Sequence, residues 1–390
     1  MKKIIVFGST GSIGENTLDV VRKNKNSISI CGLSTKKNIE LLQKQIDEFC
    51  PSAVSVWDKN KAEELKKKVG NKVKVYTGLE GLLTLANMQA DLIVSALVGA
   101  VGLRPLLEAI KSGKNIALAN KEVLVMAGAA LMTEAVKSGV SIIPVDSEHS
   151  ALMQCLWKRD SKEIKRIFLT ASGGPFYNKQ TIDLNNISPE EALAHPTWQM
   201  GQKVTIDSAT LLNKGFEVIE ASVLFGISMD KIEVVIHPES IVHAMVEFID
   251  GSVTALMHIP DMRVPIQYAL SWPHRWTGDY GTLDLTRLGS LRFSKPDMQK
   301  FPALNLAYKA GKIGGTMPVV LSAADEVCVE YFLANKIKFM DIISIIKNVM
   351  DKHDIIIRPS LEDIFNADEW ARSKTIEFIN ADVIDTVKGV

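Results

Sequence analysis

The sequence predicts an α/β protein with three parts: an N-terminal doubly wound parallel sheet, a central α/β region and a C-terminal helical region. Three observations predict it. The chain opens with an apolar run, IIVFG, that empties into a glycine-rich turn and then a stretch with helical spacing. ADLIVSALVGAVGL, NIALANKEVLV and SGVSIIPV then repeat the passage from strand to turn. Beyond about residue 290 the period-two signals give way to helical ones.

Composition bounds the function. The chain has 390 residues, 46% of them hydrophobic, enough for two or three domains with real cores. Lys plus Arg and Asp plus Glu number 45 each, so no global field draws in nucleic acid or an anionic membrane, and an anion must be bound locally. Cys31, Cys50, Cys155 and Cys328 are scattered without CxxC spacing. That argues against a zinc cluster or disulfide framework, fits a reducing compartment and leaves core packing as their default role. MKKIIVFGSTG is too short in its apolar part for a signal peptide or a membrane span, so a cytoplasmic location is expected.

The first element is strand, turn and helix: IIVFG, then Gly8 to Gly14, then ENTLDVVRKN with Leu18 and Val21 on one side. Glycines at such a turn let the backbone approach a pyrophosphate while the amides of the helix N-terminus face its charge. The spacing is GxxGxxG rather than the commoner GxGxxG. The second strand, SISICGL, carries no acid at its end for a ribose and continues instead into Ser34-Thr35-Lys36-Lys37-Asn38. That cationic cluster suits the 2'-phosphate of NADP, and a solvated loop is the alternative. Ligands sit beyond the C-terminal strand ends of such sheets. Asn120, Lys121 and Glu122 follow one strand at that edge, and Asp146 and Glu148 follow the next.

Two acids one residue apart repel unless something positive lies between them. Read as extended chain, PVDSEHSALMQ projects Asp146 and Glu148 to the same side. Further on, RIFLTASGGPF empties into Ser172 and two glycines, which suits a phosphate oxygen or a plain turn. In AHPTWQMG, Pro196 breaks regular structure while His195, Trp198 and Met200 precede Gly201, a hinge candidate. The stretch reads as a lid over a ligand or as ordinary packing. ATLLNKGFEVIEASVLFG reads as one helix with Leu212, Phe216, Ile219 and Val223 on one face and Asn213, Glu217 and Glu220 on the other. Glu220 is expected to be solvated. Ser208, Asn213, Lys214 and Glu217 combine phosphate-type donors with a carboxylate within a short span. With Asp146 and Glu148, Glu217 makes a set of hard oxygen ligands suited to Mg²⁺ or Mn²⁺ rather than zinc. A lysine such as Lys121 neutralising the Asp146 and Glu148 pair is the competing reading.

PVVLSAADEVCVEYFL, FMDIISIIKNVMDKH and SLEDIFNADEWARSKTIEFI carry helical apolar spacing, with Ser360 and Asp363 as a capping box. No catalytic constellation falls there, so the region is expected to buttress the rest.

GSTGSIG, ALANKE, PVDSEHSA, ASGGPF, HPTWQMG, DSATLLNKGFEVIEA, HPESIVHAMVEFIDGSV and PDMRVPIQYALSWP, in this order, resemble the 1-deoxy-D-xylulose 5-phosphate reductoisomerase family over nearly the whole chain. The resemblance implies a homodimer of V-shaped subunits. Each would have a Rossmann-like NADPH-binding domain (1–145), a catalytic domain with metal site and flap (146–290), and a linker with a C-terminal α-helical domain (291–390). It implies a step of the non-mevalonate (MEP) isoprenoid pathway on a small sugar phosphate, using NADPH and Mg²⁺, Mn²⁺ or Co²⁺. Carried over by position, the metal ligands are Asp146, Glu148 and Glu217. Ser172, Ser208, Asn213 and Lys214 hold the phosphate, and His195 closes over it from the flap. Lys121 and Ser147 contact the carbon chain and Trp198 covers it. Thr10, Gly11, Ser12 and Ile13 match the pyrophosphate turn, Lys37 and Asn38 the 2'-phosphate side, and Asn120, Glu122, Met200 and Gly201 the nicotinamide side. Lys121, Asp146, Glu148, Glu217 and His195 form the catalytic set. The rival readings are a plain NADPH dehydrogenase, which keeps its activity in a chelator, and a non-catalytic NADPH-sensing module, which oxidises none.

Overall fold

Ile4, Ile5, Val6 and Phe7 are each 0% exposed, as in a strand covered on both faces. In the computed structural model they belong to β1 (Lys2–Phe7), in the middle of a seven-stranded parallel sheet. The structure describes residues 1–179 and 183–388. The other strands of this sheet are β2 (Ile28–Thr35), β3 (Ala53–Val56), β4 (Lys74–Thr77), β5 (Leu92–Ser95), β6 (Asn115–Leu118) and β7 (Ile142–Pro144). Their order, β4-β3-β2-β1-β5-β6-β7, reverses direction at β1, as expected of a doubly wound sheet. The crevice beyond the C-terminal ends of β1 and β5 is therefore its switch point, where such sheets take their ligands.

The chain divides into two compact units that do not follow chain order. The first holds residues 1–120, 129–154 and 261–282. Its last segment joins the sheet's core through Ile266, Ala269 and Leu270 of the helix Arg263–Ser271, buried with Ile4 and Leu18. Ile266 and Leu270 each contribute about 1.5–3 kcal/mol on burial. Polar ties fix the register: Arg263 Nη1 lies 2.8 Å from Asp19 Oδ2, and Lys2 Nζ donates to the Leu270 carbonyl at 2.9 Å.

The second unit holds residues 121–128, 155–260 and 283–390. Its sheet is mixed, in the order β11-β10-β8-β9, from β8 (Ile164–Ala171), β9 (Ile232–Ile236), β10 (Val242–Phe248) and β11 (Val253–Met257). Here β8 pairs in parallel with β9 and antiparallel with β10. After residue 300 the longer elements are helices, as expected. Phe339 packs edge-on against Phe332 at 5.6 Å and Phe176 at 5.5 Å, contacts worth about 0.5–1.5 kcal/mol each beyond burial. The expected capping box is present: Asp363 N donates to Ser360 Oγ at 3.1 Å, and Ser360 N donates to Asp363 Oδ2 at 2.8 Å.

Two local expectations fail. The stretch read as one helix from residue 209 is two, Gln202–Thr210 and Leu212–Phe225, parted by Leu211 at φ 62°. A leucine at positive φ carries no sequence signal. Cys50 is exposed rather than packed in a core, while Cys155 and Cys328 are buried.

Candidate active site

In the first unit the site begins at the glycine turn. Gly8 has φ +79°, and a Cβ there would lie 2.5 Å from the Ala96 carbonyl oxygen; a Cβ on Gly14 would lie 2.3 Å from the Gly8 oxygen. Both positions therefore need glycine for close packing. Gly11 differs, because a Cβ there would meet only the Gly8 oxygen, at 3.5 Å, so its face is open to an approaching group. The turn is tied to β2: Gly8 N donates to Ser34 Oγ at 3.0 Å, and Thr10 Oγ1 lies 2.6 Å from Thr35 Oγ1. Ser34 and Thr35 are thus buried ends of the strand, whereas Lys36, Lys37 and Asn38 are exposed. Asn38 also caps the helix that follows, accepting from Leu41 N at 3.1 Å. The helix Ser12–Lys23 starts at the turn without a side-chain cap, so Ser12 and Ile13 lie in its first turn. Such a terminus suits a pyrophosphate.

Asp146 and Glu148 stand at the sheet's C-terminal edge, but not on extended chain. Ser147–Cys155 is a helix, with Glu148 in its first turn. The same-side rule for strands therefore does not apply. The helix dipole lowers the cost of placing two acids together there. Ser147 donates its hydroxyl to Glu148.

In the second unit, Glu217 is 1% exposed on Leu212–Phe225 and is ringed by cationic and amide groups. Asn213 Nδ2 donates to Glu217 Oε1 at 2.6 Å, Lys121 Nζ stands 3.3 Å from the same oxygen, and Lys214 pairs with Oε2. Lys121 also donates to Asn213 Oδ1 at 2.8 Å. Asn213, Lys214 and Glu217, grouped by the sequence pattern, are thus one network, and Lys121 joins it from outside that pattern. Glu220 corrects that pattern: expected in solvent, it is 1% exposed. The helix is covered on more than its apolar face, so the polar face of a period-3.6 reading is not the solvent face here.

Ser172 ends β8 in a loop where Gly173 and Gly174 take φ +88° and +69°. A Cβ on Gly174 would stand 2.7 Å from the Ser208 carbonyl oxygen, so glycine at this position lets the loop close on the helix that carries Ser208. His195 Nε2 lies 3.0 Å from Ser172 Oγ. Burial pushes the His195 imidazole down to about 4, so the ring is neutral at pH 7. Trp198 is half-buried, its ring 6.2 Å from that of His243 in an edge-on contact. Met200 is half-buried and Gly201 exposed, at a φ of −63° that any residue adopts.

The sequence reading passed over Lys203, Asp207, Asp325 and His243, all of them polar and buried or nearly so. Lys203 and Asp207, four apart on a helix, read as an ordinary exposed pair, and only the arrival of Asp325 from a distant helix reveals otherwise.

A doubly wound sheet with a glycine turn in one unit, and phosphate-type donors with a buried carboxylate in the other, define a dinucleotide-dependent oxidoreductase. The chain belongs to the 1-deoxy-D-xylulose 5-phosphate reductoisomerase family. The family model of that name matches residues 4–128, and its two C-terminal domain models match residues 142–225 and 257–374. The chain is 52% identical over 375 residues to the 1-deoxy-D-xylulose 5-phosphate reductoisomerase of Thermoanaerobacter sp. (strain X514), covering 96% of this chain and 98% of the relative. It is 51% identical over 373 residues to that of Thermodesulfovibrio yellowstonii, covering 95% and 98%. Among solved structures, the Zymomonas mobilis reductoisomerase in complex with NADPH superposes with a TM-score of 0.90 at 38% identity, covering 97% and 99% of the two chains. A DOX-P reductoisomerase in complex with NADPH, fosmidomycin and magnesium gives 0.93 at 39%, covering 97% and 98%.

Proposed function

We propose that Asp146, Glu148 and Glu217 are the ligands of a divalent cation, and that Ser172, Ser208, Asn213 and Lys214 bind the phosphate of the substrate. The chain is an NADPH-dependent, metal-requiring reductoisomerase. It converts 1-deoxy-D-xylulose 5-phosphate by skeletal rearrangement and reduction to 2-C-methyl-D-erythrose 4-phosphate, a step of the MEP pathway. The observation that supports the phosphate assignment is the gathering of Lys121, Asn213 and Lys214 around buried Glu217; the cation assignment rests on the chemistry of the donor set.

An all-oxygen ligand set fits a hard cation such as Mg²⁺. When bound, the cation supplies Lewis-acid polarisation of the substrate carbonyl, and NADPH supplies the hydride. The open face of Gly11 at the helix start fits a pyrophosphate, with Thr10, Ser12 and Ile13 beside it and Lys37 and Asn38 toward the 2'-phosphate. Asn120, Glu122, Met200 and Gly201 are assigned to the nicotinamide side.

The chain's own groups then have distinct tasks. Lys214 gives the phosphate a positive charge, while Ser172, Ser208 and Asn213 give it hydrogen bonds. Neutral His195 turns its Nε2–H from Ser172 toward a phosphate oxygen as the flap settles. Lys121, with Ser147, orients the carbon chain, and Trp198 excludes water over it. The phosphate is remote from the reacting carbons, so its binding energy serves closure rather than chemistry. Residues 1–145, 146–290 and 291–390 are proposed as mainly NADPH-binding, catalytic and supporting parts, with 121–128 folding into the second compact unit and 261–282 into the first. A homodimeric, cytoplasmic enzyme is part of the same proposal; the four free cysteines support the reducing compartment.

Titration with Mn²⁺, followed by its paramagnetic signal, tests the ligand set. Asp146→Asn, Glu148→Gln and Glu217→Gln should each weaken Mn²⁺ binding at least about tenfold. Affinity equal to that of the unaltered chain in any one of them removes that residue from the set.

A further inference from the structure

Lys203 sits in the first turn of the helix Gln202–Thr210, directly after the flap, and has no task in the reaction as described. Its ammonium lies 2.6 Å from Asp207 Oδ2, 2.7 Å from Asp325 Oδ2 and 3.7 Å from Glu122 Oε1. The Asp207 and Asp325 side chains are each 1% exposed. The ammonium also stands 4.7 Å above the Phe216 ring. Behind it, Glu326 meets Arg372, which Asp368 holds in turn at 2.9 Å. All these groups belong to the second unit.

One ammonium thus faces three carboxylates in a buried space. Burial pulls Lys203 down, but Asp207, Asp325, Glu122 and Glu326 outweigh it and hold it charged. Burial also raises Asp207 and Asp325, Asp207 the more strongly. A buried ion cluster of this kind adds little net stability, because desolvation offsets the attraction. What it supplies is fixed geometry. The helix it holds needs that: it has nine residues, with β-branched Val204, Thr205, Ile206 and Thr210, and a helix so short and so composed is not stable by itself. Asp207 precedes Ser208, whose carbonyl packs against Gly174 of the phosphate loop.

We propose that Lys203, clamped between Asp207 and Asp325, is a positioning residue that fixes the helix Gln202–Thr210 and thereby aims the Ser208 hydroxyl at the substrate phosphate. The proposal rests on Ser208 being a phosphate donor. Asp325 reaches the network from the helix Met317–Leu333 and is absent from the proposed substrate contacts, so its truncation tests the clamp through Ser208.

The experiment measures KM and kcat in full-length Ser208→Ala, Asp325→Ala, the double variant, Asp325→Asn and Lys203→Arg, each with its melting temperature. Asp325→Ala should raise the KM for 1-deoxy-D-xylulose 5-phosphate at least about fivefold while the KM for NADPH stays within about twofold, since a small misplacement of a binding group is costly. Asp325→Asn, which keeps an oxygen in place beside the Lys203 ammonium, should raise the KM less than Asp325→Ala does. Because the clamp acts through Ser208, the double variant should be little worse than Ser208→Ala alone. If Ser208→Ala leaves the KM unchanged, the phosphate assignment itself fails. If Ser208→Ala raises the KM but Asp325→Ala does not, or if the two effects simply add, the clamp is overturned. Should Asp325→Ala not fold, Lys203→Arg decides: a raised KM at an unchanged melting temperature supports the clamp, and an unchanged KM overturns it.

Discussion

His195 donates through Nε2–H to Ser172 Oγ at 3.0 Å while its Nδ1 accepts the backbone amides of Thr197 at 3.2 Å and Trp198 at 2.9 Å. Amides can only donate, so they fix the tautomer: the proton is on Nε2. A ring held this way is a neutral hydrogen-bond donor waiting beside a hydroxyl assigned to phosphate.

The first prediction is spectroscopic. In protein labelled with ¹⁵N-histidine, His195 Nδ1 should show the unprotonated shift at pH 7, and the ring should titrate near 4, where burial places it. The unfolded chain takes up this proton first, near the ordinary value of about 6.5. The stability the neutral ring contributes is therefore complete above that value and is lost as the pH falls toward 4. Titration of His195 near 6.5 without substrate would mean that the ring is solvated and the tautomer not fixed.

Much of the first unit was legible because buried parallel strands read as short apolar runs, and IIVFG, DLIV and NIAL each became a strand. The recruitment of Arg263–Ser271 to that unit was not, because a helix with one apolar face looks the same whichever core it joins. In the site, the grouping of Asn213, Lys214 and Glu217 could be read from residue type and spacing, whereas Lys121 reaches Asn213 from 92 residues away in the chain. The burial of Glu220 and the Lys203 network could not, since both depend on elements far along the chain that cover faces a single helix would leave wet.

Gly14 and Gly11 separate packing from ligand approach. Gly14→Ala forces a Cβ to 2.3 Å from the Gly8 oxygen and should cost about 1–3 kcal/mol of unfolding free energy. Gly11→Ala meets nothing closer than 3.5 Å and should fold as before while NADPH binding weakens severalfold. Denaturant unfolding and NADPH fluorescence titration read the two quantities. Normal NADPH affinity in Gly11→Ala would move the pyrophosphate away from this turn.

Lys37 is exposed, so its removal should not touch folding. Lys37→Ala should raise the KM for NADPH at least about threefold, the effect of losing one exposed ion pair of under about 1 kcal/mol, and leave that for NADH nearly unchanged. Equal effects on both cofactors would place the 2'-phosphate elsewhere.

Trp198 is half-buried against His243, not sunk in a core. Trp198→Ala should therefore cost well under the roughly 3–5 kcal/mol of a core aromatic truncation, yet lower kcat/KM by more than tenfold as water enters. A large stability loss with activity falling only as the folded fraction falls would make it a packing residue.

The enzyme couples a metal-dependent rearrangement to an NADPH-dependent reduction. The most direct measurement follows NADPH absorbance with 1-deoxy-D-xylulose 5-phosphate in three states: with Mg²⁺, after chelation, and after Mg²⁺ is restored. Oxidation of one NADPH per 2-C-methyl-D-erythrose 4-phosphate formed, abolished by the chelator and recovered with the metal, is the predicted result. Oxidation that continues unchanged in the chelator would contradict it and leave a plain dehydrogenase.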